Sequence, residues 1–180
     1  MTAEPFSKKC SVPRDALAYR ALRRVDYADA YSIKIEGRGP EVLDLYARVM
    51  FGNPPRWVSA LMGLRDHVVS VFGLKTSAEL RADGDGVDRD SSRETAGRSG
   101  RIGPFAVLTR LENELLLGAD DRHLDFRISI QCTGIDGGSE LRVVTVVKFT
   151  NSLGRIYFLP VKPIHRIIVP AMMGRAAHAI

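Results

Sequence analysis

The chain has 180 residues, 45% of them hydrophobic and 26% charged, with a formal net charge of +5. This length suits one domain with a real core, and the balance is globular rather than disordered or fibrous. Only Cys10 and Cys132 are present, too few for a disulfide framework, so both are expected as reduced thiols in a cytoplasmic protein. The first ten residues carry no apolar run behind their charges, so no secretory signal is expected. The most apolar stretch, Ile156 to Met173, is interrupted by Lys162, His165, Arg166 and three prolines, which excludes a transmembrane helix.

Charge is unevenly placed. Met1 to Arg24 holds six Lys or Arg against Glu4 and Asp15, giving +4, and Asn151 to Ile180 holds four with no acid, again +4. The body between is therefore −3 (5 − 4 − 4). Basic termini are suited to a nucleic acid, an anionic membrane or an acidic ligand, or are simply solvated. Apart from Tyr19 they lack interleaved aromatics, which argues against nucleic acid.

Residues 1–24 are polar and aperiodic and read as a basic amino-terminal arm before a single domain spanning 25–180. Tyr31, Ile33 and Ile35 alternate with Ser32, Lys34 and Glu36, the period of a half-buried strand. Val42, Leu45, Tyr46 and Val49 then recur at helical spacing, predicting a short helix over Glu41 to Met50. Asn53 and Pro54 open a second helix whose apolar stripe is Trp57, Leu61, Leu64, Val68, Val71 and Phe72.

Residues 75–103 change character: Asp, Gly, Ser and Arg dominate, and a mobile loop is predicted, with disorder over 83–98. Asp83 to Asp88 has a trace of a calcium loop, but Val87 stands where an oxygen ligand is needed and no closing Glu follows. No metal site is expected, because the four histidines lack ligand spacing.

Strands follow. Phe105, Val107, Thr109 and Leu111 alternate, Glu112-Asn113 reads as a hairpin tip, and Leu115 to Leu117 starts the return. Between Arg122 and Thr133, Leu124, Phe126, Ile128, Ile130 and Cys132 share one face, with His123, Asp125, Arg127, Ser129 and Gln131 on the other. Gly134 to Ser139 turns the chain into a strand over Leu141 to Thr150. Asn151 or Ser152 caps a closing helix, which Pro160 and Pro163 are expected to bend or break. The arrangement that buries these faces is α+β: a curved antiparallel sheet gripping the last helix, with two short helices after the first strand and a ligand cavity beneath the long helix.

Five segments carry a resemblance: Trp57 to Leu61, Gly103-Pro104-Phe105, Asp121 to Arg127, Asn151 to Tyr157, and Pro163 to Arg166. Together they resemble a bacterial family of unknown function, found alone or fused behind NAD(P)-binding domains of short-chain-dehydrogenase type. That family resembles in turn the START-like (SRPBCC) helix-grip superfamily of lipid-transfer proteins and polyketide cyclases. The likeness runs from about Asp26 to Arg175 and implies the same fold, but no reaction. No dinucleotide fingerprint and no cofactor are expected here, since Gly84-Asp85-Gly86 sits in a polar loop.

Three function classes stay open. The first is a protein that binds a small apolar or amphipathic molecule between sheet and helix. The second is a cyclase- or isomerase-like enzyme, with His123 and Asp125, or His165, as candidate acid–base residues. The third is a peripheral membrane or partner-binding module, and a homodimer is left open as well. Candidate ligand contacts are Arg127, Arg155, Tyr157 and Trp57. For His123, Asp125 and Arg127 the competing reading is a solvated outer face. For His165 it is a satisfied core or cap residue.

Overall fold

The computed structural model describes residues 7–35, 43–52, 100–120 and 123–179. Trp57 and the second helix, and the stretch 83–98 expected to be disordered, lie outside the described residues. The described strands are β1 (Lys8–Cys10), β2 (Tyr27–Ile35), β3 (Arg101–Ile102), β4 (Phe105–Arg110), β5 (Glu114–Asp120), β6 (Leu124–Ile135) and β7 (Gly138–Phe149). The helices are α1 (Leu17–Arg20), α2 (Leu43–Phe51) and α3 (Ser152–Ala179).

All strands join one antiparallel sheet in the order β1-β2-β7-β6-β5-β4-β3. From β3 to β7 this is a meander, as the alternating pattern and turn residues predict. Antiparallel neighbours need only tight turns, such as the one closed where Leu111 N donates to Glu114 O at 2.8 Å. The curved sheet with a carboxyl-terminal helix across it fits the helix-grip arrangement.

The concave face is apolar. Tyr31, Ile33 and Ile35 of β2, Leu115 and Leu117 of β5, and Ile128, Ile130 and Cys132 of β6 pack beneath α2 and α3. From the helices come Tyr46 and Met50 of α2, and Ile168, Val169, Met172 and Met173 of α3. The spacing of this last set, i, i+1, i+4, i+5, is one face of a helix.

Three sequence expectations are corrected. The loop predicted over 75–103 ends earlier: Arg101 and Ile102 already pair with β4, and Gly103 makes the turn with φ +60, its Cα against the carbonyl of Phe51. A Cβ there would approach that oxygen to 2.2 Å, so only glycine fits.

The amino-terminal stretch, expected as an arm, is part of the fold over residues 7–24. β1 adds an edge strand beside β2, and Ala16 and Ala18 are buried with Leu116, Val144 and Val146 on the convex face of the sheet. Ala16 offers no side-chain cap to α1. The sheet supplies one instead: Leu17 N donates to Glu114 Oε1, and Ala18 N donates to Ser129 Oγ, both at 2.8 Å. These bonds satisfy amide groups that a helix start leaves orphaned, and they explain two buried polar side chains on the sheet.

The third correction concerns only the expected break in α3, which continues as one helix through Pro160, Pro163 and Pro170. At 3.6 residues per turn these three rings fall within roughly 80° of one another. Pro160 and Pro163 are exposed and Pro170 half-buried, so the missing amides lie on the side away from the sheet. Water can take over the orphaned carbonyls there, and a helix wrapping a sheet is convex toward solvent anyway. Asn151 caps the helix as expected, its Oδ1 accepting from Gly154 N at 3.1 Å.

Candidate functional site

Alternation along β2 puts Tyr27, Asp29, Tyr31, Ile33 and Ile35 on the concave face. Four of the five are apolar or amphipathic, and the fifth is an aspartate that is only 2% exposed. A buried carboxylate is costly unless its oxygens are bonded. Asp29 has both engaged. Tyr27 Oη donates to Oδ2 at 2.5 Å, and His165 Nε2, from the middle of α3, lies 3.2 Å from Oδ1.

Around this pair the surroundings are aromatic and basic. The Tyr27 ring stands nearly perpendicular to the His165 ring, with centroids 6.3 Å apart, and tilts against Phe158 at 4.7 Å. Phe149 continues the stack at 5.4 Å from Phe158, and Lys162 Nζ sits 5.5 Å from the Tyr27 centroid. Burial pushes the Tyr27 phenol well above its ordinary value, and the Asp29 carboxylate adds to the shift. Tyr31 is raised by the same two causes, with the Arg166 guanidinium opposing. Both phenols therefore keep their protons, and Tyr27 serves Asp29 as a donor.

Facing a carboxylate, His165 presents an Nε2–H, which leaves Nδ1 as the ring's basic nitrogen. Among the described residues Nδ1 has no hydrogen-bond partner. The constellation is thus a buried acid that orients an imidazole, with a phenol and the cations Lys162 and Arg166 beside it. It can bind a polar group at the edge of an apolar core, or move a proton.

Sequence reasoning singled out His165 but missed Asp29 and Tyr27. The signal was present: Asp29 stands in the register of Tyr31, Ile33 and Ile35, and a charged residue on a core-facing register needs a partner.

The other candidates are dispersed. His123 precedes β6 and pairs its Nδ1 with the Asn151 side chain. Asp125 accepts from Lys148 Nζ at 2.7 Å, and Arg127 forks onto Asp120, with Nη2 to Oδ2 at 3.1 Å. Each of the three has a different partner, so the structure does not assemble them into one acid–base unit. Asp125 and Arg127 lie on the convex face with Ser129, which α1 covers in part. Arg155 is exposed in the first turns of α3 and Tyr157 is half-buried. Trp57 lies outside the described residues.

A polar pocket of about 260 Å³ opens on the convex face between Asp15, Glu114, Gln131 and Arg142, away from the His165 cluster. Among the described residues no three His, Cys, Asp or Glu side chains converge as metal ligands.

A family described as a protein of unknown function, DUF2867, matches residues 21–172. The chain belongs to this family. The match spans every element from β2 to the greater part of α3, so Tyr27, Asp29 and His165 all fall within the family domain. No curated protein and no solved structure matches the chain.

Proposed function

We propose that this DUF2867 domain binds a small amphipathic molecule where the first half of α3 crosses β2, holding its polar group at Asp29 and His165. The observation that carries the reading is the buried carboxylate itself. A leucine at position 29 would complete the apolar register at lower desolvation cost. An aspartate bonded by a tyrosine and a histidine is instead a polar anchor inside an apolar wall, the usual composition of a small-molecule site. The START-like resemblance supports the same reading by analogy, since that superfamily carries apolar cargo between helix and sheet.

A second reading, a cyclase- or isomerase-like enzyme, draws on the same pair. Asp29 fixes the imidazole through Nε2, and Nδ1 would take a proton from a carbon beside a carbonyl. This replaces His123 and Asp125 as the acid–base candidates, because those two hold other partners.

The test is extraction of natively purified protein followed by mass spectrometry, together with titration of a fluorescent fatty acid. A co-purifying amphiphile, and a probe affinity about tenfold weaker in His165→Ala, are expected. An empty extract and identical probe binding by the variant would refute the proposal. Retained binding with lost turnover of an identified ligand would instead favour the enzyme.

A further inference from the structure

The outward side of α3 carries an apolar stripe that the described residues leave uncovered. Leu159 is 70% exposed, Ile167 61%, Ile156 53% and Leu153 43%, and exposed Pro160 and Pro163 lie between them. At 100° per residue all six project from one side of the helix. From Leu153 to Ile167 the stripe runs about 21 Å at 1.5 Å per residue. Single exposed aliphatic residues are ordinary, but a contiguous strip of them marks an interaction surface.

Charge indicates what covers it. Arg155, Lys162 and Arg166 are spaced i, i+7 and i+11, a single row along the border of the stripe, and the whole segment Asn151 to Ile180 contains no acid. A second copy presenting the same face would oppose like charges with no carboxylate from either helix to neutralise them. The partner must be both apolar and anionic. No described helix is long and apolar enough to cross a bilayer, so this one would lie along a surface rather than span it.

We infer that α3 docks its Leu153–Ile167 stripe on the surface of an acidic phospholipid bilayer. The prolines fit shallow seating. Pro160, Pro163 and Pro170 leave the carbonyls of Ile156, Leu159 and Arg166 without their helical donors. Those oxygens stay hydrated at headgroup depth, whereas hydrocarbon would strand them. The apolar stripe and His165 lie on different sides of the helix, and Arg155 stands apart from Asp29, so Leu159→Ser and Arg155→Ala test the docking separately from ligand binding.

Cosedimentation of the full chain with vesicles tests it. Binding to phosphatidylcholine vesicles containing phosphatidylserine, weakened by salt, and none to phosphatidylcholine alone, is the expected result. The double variant Leu159→Ser/Ile167→Ser should bind at least about tenfold less, and Arg155→Ala about fivefold less. Leu159→Ser alone, at the most exposed position, serves if the double variant fails to fold. The inference is overturned if wild-type protein stays in the supernatant with acidic vesicles, or if Leu159→Ser and Arg155→Ala sediment like wild type. It is equally overturned by a concentration-dependent dimer that the serine substitution abolishes, which would assign the stripe to a second copy.

Discussion

Oδ1 of Asp29 lies 3.2 Å from Nε2 of His165 across 136 residues of sequence, where α3 crosses β2, with the carboxylate buried and the imidazole partly so. Removing one partner of such a pair strands the other. His165→Leu should therefore destabilise the fold by about 3 kcal/mol, since it leaves a buried carboxylate short of a donor. Asp29→Leu/His165→Leu together should cost less than the sum of the two single variants, because no charge is then left unpaired. Urea denaturation of the four proteins measures the coupling, and strict additivity would show that the contact carries no energy.

Tyr27 supplies the alkaline prediction. Its phenol has a folded value raised above the ordinary 10.0, by burial first and by Asp29 second. The unfolded chain therefore releases this proton at lower pH than the native state does. The stabilisation is fully present below about pH 10 and is lost as pH climbs above it toward the folded value. Thermal melts at increasing alkaline pH should show a declining midpoint. Tyr27→Phe, although less stable at neutral pH for want of its bond to Asp29, should show a shallower decline.

Glu114 and Ser129 cap α1 from 97 and 111 residues away. Ser129→Ala removes the acceptor for Ala18 N and leaves that buried amide unsatisfied, at a cost of about 1–3 kcal/mol. Faster amide exchange at Leu17 and Ala18, with little change in the β6–β7 ladder, is the expected signature. Uniform protection across both would show that the amino-terminal segment docks without this bond.

Gly154 sits in the first turn of α3 against the carbonyl of His123, and a Cβ there would come within 2.1 Å of that oxygen. The neighbour is backbone and cannot rotate away, so Gly154→Ala should cost about 1–3 kcal/mol despite alanine's better helix propensity. A gain in thermal midpoint would contradict the close approach.

Asp125→Asn separates the two sets of candidates. Its carboxylate serves Lys148 on the neighbouring strand, a half-exposed pair worth at most about 1 kcal/mol. Fatty-acid probe binding should be unchanged in this variant and weakened in His165→Ala. The reverse ranking would return the site to β6.

The sequence by itself determined the elements that one periodicity settles. Alternation from Tyr31 to Ile35 and from Leu124 to Cys132 makes strands with one apolar face, short turns make their order a meander, and Asn151 begins a helix. These follow from local chemistry, because a side chain's face depends only on its position in the repeat. Tertiary structure decided whatever depended on what covers each face. Residues 7–24 look like a solvated arm because α1 carries no cap of its own, and Glu114 and Ser129 reach it only once the sheet is formed. The prolines of α3 read as bends or breaks, yet the helix continues through them because their common side faces away from the sheet, where water can replace the lost donors. His123, Asp125 and Arg127 look like a unit in sequence, yet the turns and neighbouring strands offer each a nearer partner in Asn151, Lys148 or Asp120. His165 has no acid anywhere in its own segment, and only the packing of α3 on β2 brings it to Asp29, which Tyr27 already holds from two residues away.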